Sequence, residues 1–244
     1  MKQQRMLKYF ISALMALCVT SGFAQTNTIA VDSVRAIGDS IVYKQKYGLR
    51  IGGDVNKLVR SFVDENYKGF EINADYRIKQ NLYVAGELGT EEKITDGDFF
   101  DNTTSGSYFK AGLDYNVYDN WFGMDNLIFG GIRVGLASFK QERNGFTVYN
   151  TDQYWEPFTD LSSVDFSNLS AIWAEIMFGI KVEVFNNLYV GFNAQLKNLI
   201  SEDQPENFEN IFIPGFNRTF DSSSIGVGFS YNISYLIPLY KKEK

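Results

Sequence analysis

Eight strand-length segments of this chain alternate apolar and polar residues, and that period of two restricts the fold more than any other feature. In the clearest, Phe70, Ile72, Ala74, Tyr76 and Ile78 share one face, while Glu71, Asn73, Asp75 and Arg77 occupy the other. A pleated strand sends successive side chains to opposite sides, so the pattern belongs to a sheet whose faces meet different surroundings. Repeated eight times behind an export signal, it predicts an all-β fold: an eight-stranded antiparallel up-and-down transmembrane β-barrel of the outer membrane.

The export signal is read from the first 24 residues. Lys2, Arg5 and Lys8 form a basic region, Tyr9 to Thr20 an apolar one, and Gly22-Phe23-Ala24 a small-x-small cleavage site. A dozen apolar residues falls short of the ~20 that a spanning helix needs. Cys18 follows bulky Leu17, which argues against a lipoprotein signal. Residues 25–46 then read as a periplasmic lead-in, 47–240 as the barrel and 241–244 as a polar tail.

Cleavage before Gln25 would remove the one cysteine and leave 20 basic residues against 29 acidic ones, with no histidine anywhere. Disulfides, Cys/His zinc sites and a histidine general base are thereby excluded, and no cofactor is expected. The acidic balance also argues against a nucleic-acid partner.

The strands follow in order. Near 47–56, Leu49, Ile51 and Val55 oppose Arg50 and Asp54; the 70–78 segment is the second. After Lys79-Gln80-Asn81, Leu82, Val84 and Leu88 oppose Tyr83 and Glu87. Near 106–117, Phe109, Ala111, Leu113, Tyr115 and Val117 oppose Lys110, Gly112, Asp114 and Asn116. Near 127–139, Ile128, Ile132, Val134 and Leu136 oppose Gly131, Arg133 and Gly135. Near 170–185, the alternate residues Ile172 to Val184 oppose Glu175, Gly179, Lys181 and Glu183. Asn186-Asn187 turns the chain into a strand where Leu188, Val190, Phe192, Ala194 and Leu196 oppose Gly191, Asn193, Gln195 and Lys197. The last pairs Ile225, Val227, Phe229, Tyr231 and Ile233 with Gly226, Gly228, Ser230, Asn232 and Ser234. The connections near 79–81, 118–126 and 186–187 are expected to be short periplasmic turns. Those near 57–68, 91–105, 140–169 and 198–223 are expected to be long external loops.

The polar face carries the glycines and a nearly balanced charge set: Arg50, Arg77, Lys110, Arg133, Lys181 and Lys197 against Asp54, Glu71, Asp75, Glu87, Asp114, Glu175 and Glu183. Buried charges persist only with partners, so this face is expected inside as an ion-pair network. An eight-strand interior is about filled by its own side chains, which predicts a mostly occluded lumen. Two alternatives stay open: a narrow outer-membrane channel, and a soluble periplasmic lipocalin-like barrel with the apolar face turned inward.

Ser224-x-Gly226-x-x-Phe229-x-Tyr231 resembles the assembly signal on last strands of outer-membrane barrels, which implies the barrel assembly machinery as a partner. More broadly, Tyr47-Gly48-Leu49-Arg50, Gly112-Leu113-Asp114-Tyr115-Asn116, Asn120-Trp121-Phe122-Gly123-Met124, Asn207-Phe208 and Ile213-Pro214-Gly215-Phe216-Asn217-Arg218-Thr219 resemble an uncharacterised barrel family of Bacteroidota, a domain of unknown function. It is distantly similar to OmpA-type eight-stranded barrels. The resemblance implies an outer-membrane location and supplies no catalytic residues.

Other chemistry is sparse. Asp96-Gly97-Asp98-Phe99-Phe100-Asp101-Asn102 is oxygen-rich but lacks the EF-hand spacing, and no metal site is assigned. Tyr154, Trp155 and Phe158 in the third loop are candidates for surface recognition. The fourth loop, with Phe208, Ile213-Pro214-Gly215-Phe216 and Arg218, reads as an ordered cap. Glu175 and Glu183 could serve as acid and base, but inward carboxylates facing lysines are more simply ion pairs, so no enzyme is expected. The expected partners are outer-membrane lipid and lipopolysaccharide, and the expected state is a monomer.

Overall fold

The alternating segments form strands because their β-branched and aromatic residues fit a pleated surface, and in the computed structural model these strands pair edge to edge. The structure describes residues 44–97, 99–120, 125–148, 158–206, 208–219 and 223–243. The elements are β1 (Lys44–Asp54), α1 (Val55–Val63), β2 (Tyr67–Lys79), β3 (Leu82–Asp96), β4 (Phe100–Asn116) and β5 (Leu127–Thr147). Then come β6 (Thr159–Asp160), β7 (Val164–Phe185), β8 (Leu188–Glu202), β9 (Phe212–Ile213), β10 (Asn217–Arg218) and β11 (Ile225–Glu243). The expected signal segment, 1–24, and the expected lead-in up to residue 43 lie outside the described residues.

Among the described residues, one antiparallel sheet holds nine strands in the order β4-β3-β2-β1-β11-β8-β7-β5-β6, and β4 also pairs with β5. The hydrogen bonding therefore returns to its start as a closed ring. β6 lies outside that circuit, joined only to β5 through Phe146↔Asp160 and Thr147↔Thr159. β9 and β10 form a separate pair. A count of eight strands thus becomes nine in the sheet, because a two-residue pairing leaves no periodic trace in a sequence.

The ring closes between the ends of the chain, with Leu49 of β1 opposite Ile237 of β11. β11 runs to Glu243, so Lys241 and Lys242, expected in a tail, pair with Lys46 and Gln45. The register elsewhere keeps each alternating face whole. Leu88 sits opposite Ile72 and Phe109, and Ile176 opposite Ile132 and Leu196.

Several strands are longer than the alternation predicts: β1 and β11 at the turn end, and β3, β4, β5 and β7 at the loop end. β3 and β4 continue to Asp96↔Asp101, so the expected long loop at 91–105 shrinks to residues 97–99. β5 and β7 likewise continue through Arg143↔Val164. The clean alternation of short and long connections is lost, because the turn at 117–126 is longer than the one at 97–99. In these extensions polar residues occupy both faces, as in Thr90-Glu91-Glu92-Lys93, and a strand with the same kind of residue on both sides shows no period of two. Asn187 takes the left-handed conformation, φ 67°, in the two-residue turn between β7 and β8.

The outward positions are apolar and exposed, among them Ile72, Leu88, Phe109, Ile132, Val134, Ile176, Phe178, Leu196, Val227 and Phe229. Charged residues are buried inside the ring, including Arg50, Glu71, Lys110, Arg133, Glu175 and Lys197. The interior is not uniformly polar, however. Tyr108, Ala137, Phe139, Leu169, Ala171 and Trp173 form an apolar cluster with Ile213 and Phe216 at the loop end. Tyr83, Leu127, Phe129, Met177, Tyr189 and Leu236 form a second at the turn end.

Candidate functional site

The ring interior is the one place where strand alternation concentrates charge. Lys110 on β4 lies at its centre: its ammonium contacts Glu87, Glu71 (3.6 Å) and Glu175 (4.0 Å). Glu87 is shared with Arg133 (3.4 Å), which also holds Asp114 (2.7 Å). Glu175 accepts from the Trp173 indole N–H (2.7 Å) and pairs with Lys197 (3.7 Å). Each ion in this layer is held by partners that offset the desolvation a buried charge suffers. A polar cavity of about 20 Å³ remains among Glu71, Asp75, Glu87, Lys181, Asn193 and Asn232, room for roughly one water molecule.

Toward the turns, the charges alternate with rings. Arg50 lies 4.3 Å from the Tyr189 ring centre and 3.7 Å from Asp75, and Asp75 also takes Lys181 at 2.6 Å. Arg77 lies between Tyr47 and Tyr83 (5.4 and 5.1 Å) and pairs with Asp125 at 3.6 Å. Burial pushes the Asp125 carboxyl above its ordinary range, against the pull of Arg77. Glu183, at the same end, holds Lys46 (2.9 Å) and accepts from the Asn187 backbone N–H. Glu175 and Glu183 therefore serve separate networks.

Toward the loops, a hairpin plugs the mouth. Ile213 and Phe216 are fully buried in the ring, and the Phe216 ring meets Trp173 edge-on at 6.1 Å. Between them Gly215 is gripped on both sides. Its N–H donates to Glu91 (2.6 Å), and its carbonyl accepts from Lys197 (2.6 Å). Only glycine suits this position: φ is +80°, and an added Cβ would lie 2.6 Å from Tyr108 Cγ. Asn210, at the foot of the hairpin, donates to Glu202 (2.7 Å).

Glu91 joins this plug to the wall. Besides Gly215 it accepts from the Tyr67 hydroxyl (2.5 Å) and from Lys57 (2.8 Å). Lys57 also reaches Glu71 (3.3 Å), and Tyr108 donates to Glu71. Farther out at the same end, Asp64 caps the helix end and takes Lys93 (3.3 Å) and the Asn66 backbone N–H (3.1 Å). A slight desolvation of its carboxyl is outweighed by these donors, which hold it below the ordinary aspartate range.

The expected network is thus distributed rather than single. Glu71, Glu87, Lys110, Asp114, Arg133, Glu175 and Lys197 meet in the central layer, while Arg50, Asp75, Arg77, Lys181 and Glu183 belong to the turn end. Asp54 does something else: its carboxylate accepts from the Asn56 N–H (2.8 Å) and caps α1, and no ion pair among the described residues includes it. Lys57, Glu91 and Asp125 escape the sequence reading because α1, the far end of β3 and the 117–126 turn read as loop. Extending the inward frame Glu87–Gly89 by one more step reaches Glu91.

The remaining candidates scatter. Gly226 faces inward against Phe216, and Phe229 and Tyr231 are exposed outside, their rings 6.0 Å apart. Phe158 is exposed beside Phe146; Tyr154 and Trp155 lie outside the described residues. The oxygen-rich 96–102 segment closes the β3–β4 hairpin, with Asp98 outside the described residues.

No curated protein and no solved structure matches the chain. A family model does, over residues 6–242, nearly the whole length that supplies this ring, its charged interior and its plug. The chain belongs to that family, a domain of unknown function (DUF6048).

Proposed function

We propose that the closed ring is an eight-stranded transmembrane β-barrel of a bacterial outer membrane. In this reading the barrel is a monomer without catalytic activity, and its loop end meets partners. One observation carries it: along the central stretch of the wall, below the polar strand extensions, side chains that point out of the ring are apolar, while ionised groups point in. On β7 the outward positions from Ile172 through Ala174, Ile176, Phe178, Ile180, Val182 and Val184 are all apolar. Those twelve steps span about 40 Å of strand, and a tilt of about 40° brings them near 30 Å, the depth of a hydrocarbon core. Tyr115 and Tyr235, exposed beside the residues that enter the turns, suit the boundary where amphipathic rings settle.

The same arrangement weighs against the soluble calyx, whose outer surface would be the polar one. The plug and the ion-pair layer weigh against a channel, since they lie across the interior and the polar cavity among the charges has room for roughly one water molecule. The absence of histidine from the chain removes the usual general base, which supports a structural or recognition role. Lipid and lipopolysaccharide would contact the outer face, and Gly226, Phe229 and Tyr231 would present the signal to the assembly machinery.

Cell fractionation with heat-modifiable gel mobility tests the reading. Recovery with outer membranes, and a band that shifts only on boiling, is expected. Recovery in the soluble periplasm without a shift would overturn it. Ile132→Arg, placed toward lipid, should cost roughly 2–4 kcal/mol; unchanged stability would show that the assigned faces are wrong. Discrete conductance in planar bilayers would favour a channel instead.

A further inference from the structure

The wall of the ring is not made of strands throughout. β1 ends at Asp54, opposite Asn232 of β11, and its last pairing with β2 is Gly53↔Ile72. Both neighbours continue beyond it, β2 to Tyr67 and β11 to Ile225. Above β1 a strand is missing, and α1 lies there, against β2 and β11.

The inner side of α1 does what a strand would do. Ser61 Oγ accepts from the Gly69 N–H (2.7 Å) and lies 3.1 Å from the Gly69 carbonyl, serving backbone groups that β1 does not reach. Asp64 O accepts from the Tyr67 N–H (3.0 Å). Lys57 enters the ring to Glu91 and Glu71, and Arg60 lies over the Tyr67 ring at 3.9 Å. With Lys57 and Ser61 turned to the protein and Arg60 at the edge over Tyr67, a helical repeat of about 3.6 residues leaves one apolar arc outside: Leu58, Val59, Phe62 and Val63. All four are exposed, Phe62 at 88 %. A free surface helix shows water the opposite face. This polarity, polar inward and apolar outward, is that of the flanking strands at Phe70 and Val227, both exposed outside; one outward step nearer the loops, exposed Lys68 pairs with Glu92 (2.9 Å).

We infer that α1 is a helical stave of the barrel wall, its Leu58–Val63 face seated among the acyl chains of bilayer lipid in the loop-side leaflet. The inference rests on the membrane reading above. Because every side chain of the exposed arc is apolar, the contact is with acyl chains, as for an interfacial amphipathic helix. The helix differs from such an anchor in being part of the wall, with its polar side locked to β2, β3 and β4.

Nitroxide labels on the full chain carrying Cys18→Ser, reconstituted in phosphatidylcholine vesicles, test this. Single cysteines replace Leu58, Val59, Arg60, Ser61, Phe62 and Val63 in turn, with Ile132→Cys as the wall reference. The ratio of collisions with oxygen to collisions with a water-soluble nickel chelate should be high at Ile132, Leu58, Val59, Phe62 and Val63 and low at Arg60 and Ser61. A high ratio at Ile132 alone, with nickel-accessible labels across α1, would overturn the stave and leave the barrel standing. Labels at Phe62 and Val63 shielded from both reagents would also overturn it, in favour of a protein partner or a second copy. Nickel access at Ile132 itself would overturn the barrel, and the stave with it.

Discussion

The two ends of the ring are closed by different means. At the turn end, Arg50 and Arg77 are held among Tyr47, Tyr83 and Tyr189, all side chains borne by the wall strands. At the loop end, closure depends on a separate segment, the β9–β10 hairpin, brought in from the 22-residue connection between β8 and β11. Its polar grip is narrow: one residue, Gly215, held at its N–H by one carboxylate and at its carbonyl by one ammonium. Closure by wall side chains forms as the ring forms and has redundant partners, whereas closure by a plug must also offset the cost of ordering a loop. The loop end should therefore be the more easily broken.

The largest expected effect tests that asymmetry directly. Glu91→Ala removes the acceptor shared by Lys57, Tyr67 and Gly215, leaving a buried ammonium with reduced compensation, and should cost about 3–5 kcal/mol. Denaturant unfolding of the detergent-solubilised protein measures it, and Glu91→Gln should cost less. Gly215→Val forces a branched residue into φ > 0 against Tyr108 and should cost about 1–3 kcal/mol. Limited proteolysis within 203–224 should accelerate while the wall stays protected. Slow cleavage would mean that the plug is held by its apolar residues rather than by the Gly215 clasp.

At the turn end, Arg50→Met should cost only about 1 kcal/mol, because Asp75 keeps Lys181 at 2.6 Å. A loss as large as that of Glu91→Ala would erase the contrast. The smallest effect is in pH dependence, where the ends differ in sign. Asp64, at the loop end, is held below its ordinary value of 3.8, so its contribution is present above that pH and is lost as pH falls through the lower folded value. Asp125, at the turn end, is raised by burial, so its contribution is complete below 3.8 and fades as pH rises through its folded value. Melting followed against pH should show Asp64→Asn flattening the loss of stability on acidification. Asp125→Asn should instead flatten the loss on raising the pH from acid; equal slopes in both variants and the parent would remove this difference between the ends.

Much of the wall is legible in the sequence itself. The faces of Phe70–Ile78, Ile172–Val184 and Ile225–Ile233 follow from alternation, since their surroundings differ so sharply on the two sides. Asn186-Asn187 reads as a turn, and Ile213–Phe216 as a cap. The extensions of β3, β4, β5 and β7 do not show, because both of their faces carry similar residues. α1 is hidden for a related reason: its apolar arc faces outward, and nine residues bounded by Asp54 and Asp64 resemble a polar loop.

Alternation along a strand is a local property, so the sequence alone determined which residues of the alternating segments share a face and that the charges on the polar face nearly balance. Height around the ring is not local. That Glu91 meets Gly215, 124 residues away, or that Lys110 serves three carboxylates on three other strands, depends on register and closure. Only the tertiary structure decided which charges pair, which end is plugged and where a helix completes the wall, because a period of two specifies a side chain's face and carries no information about what lies across the interior from it.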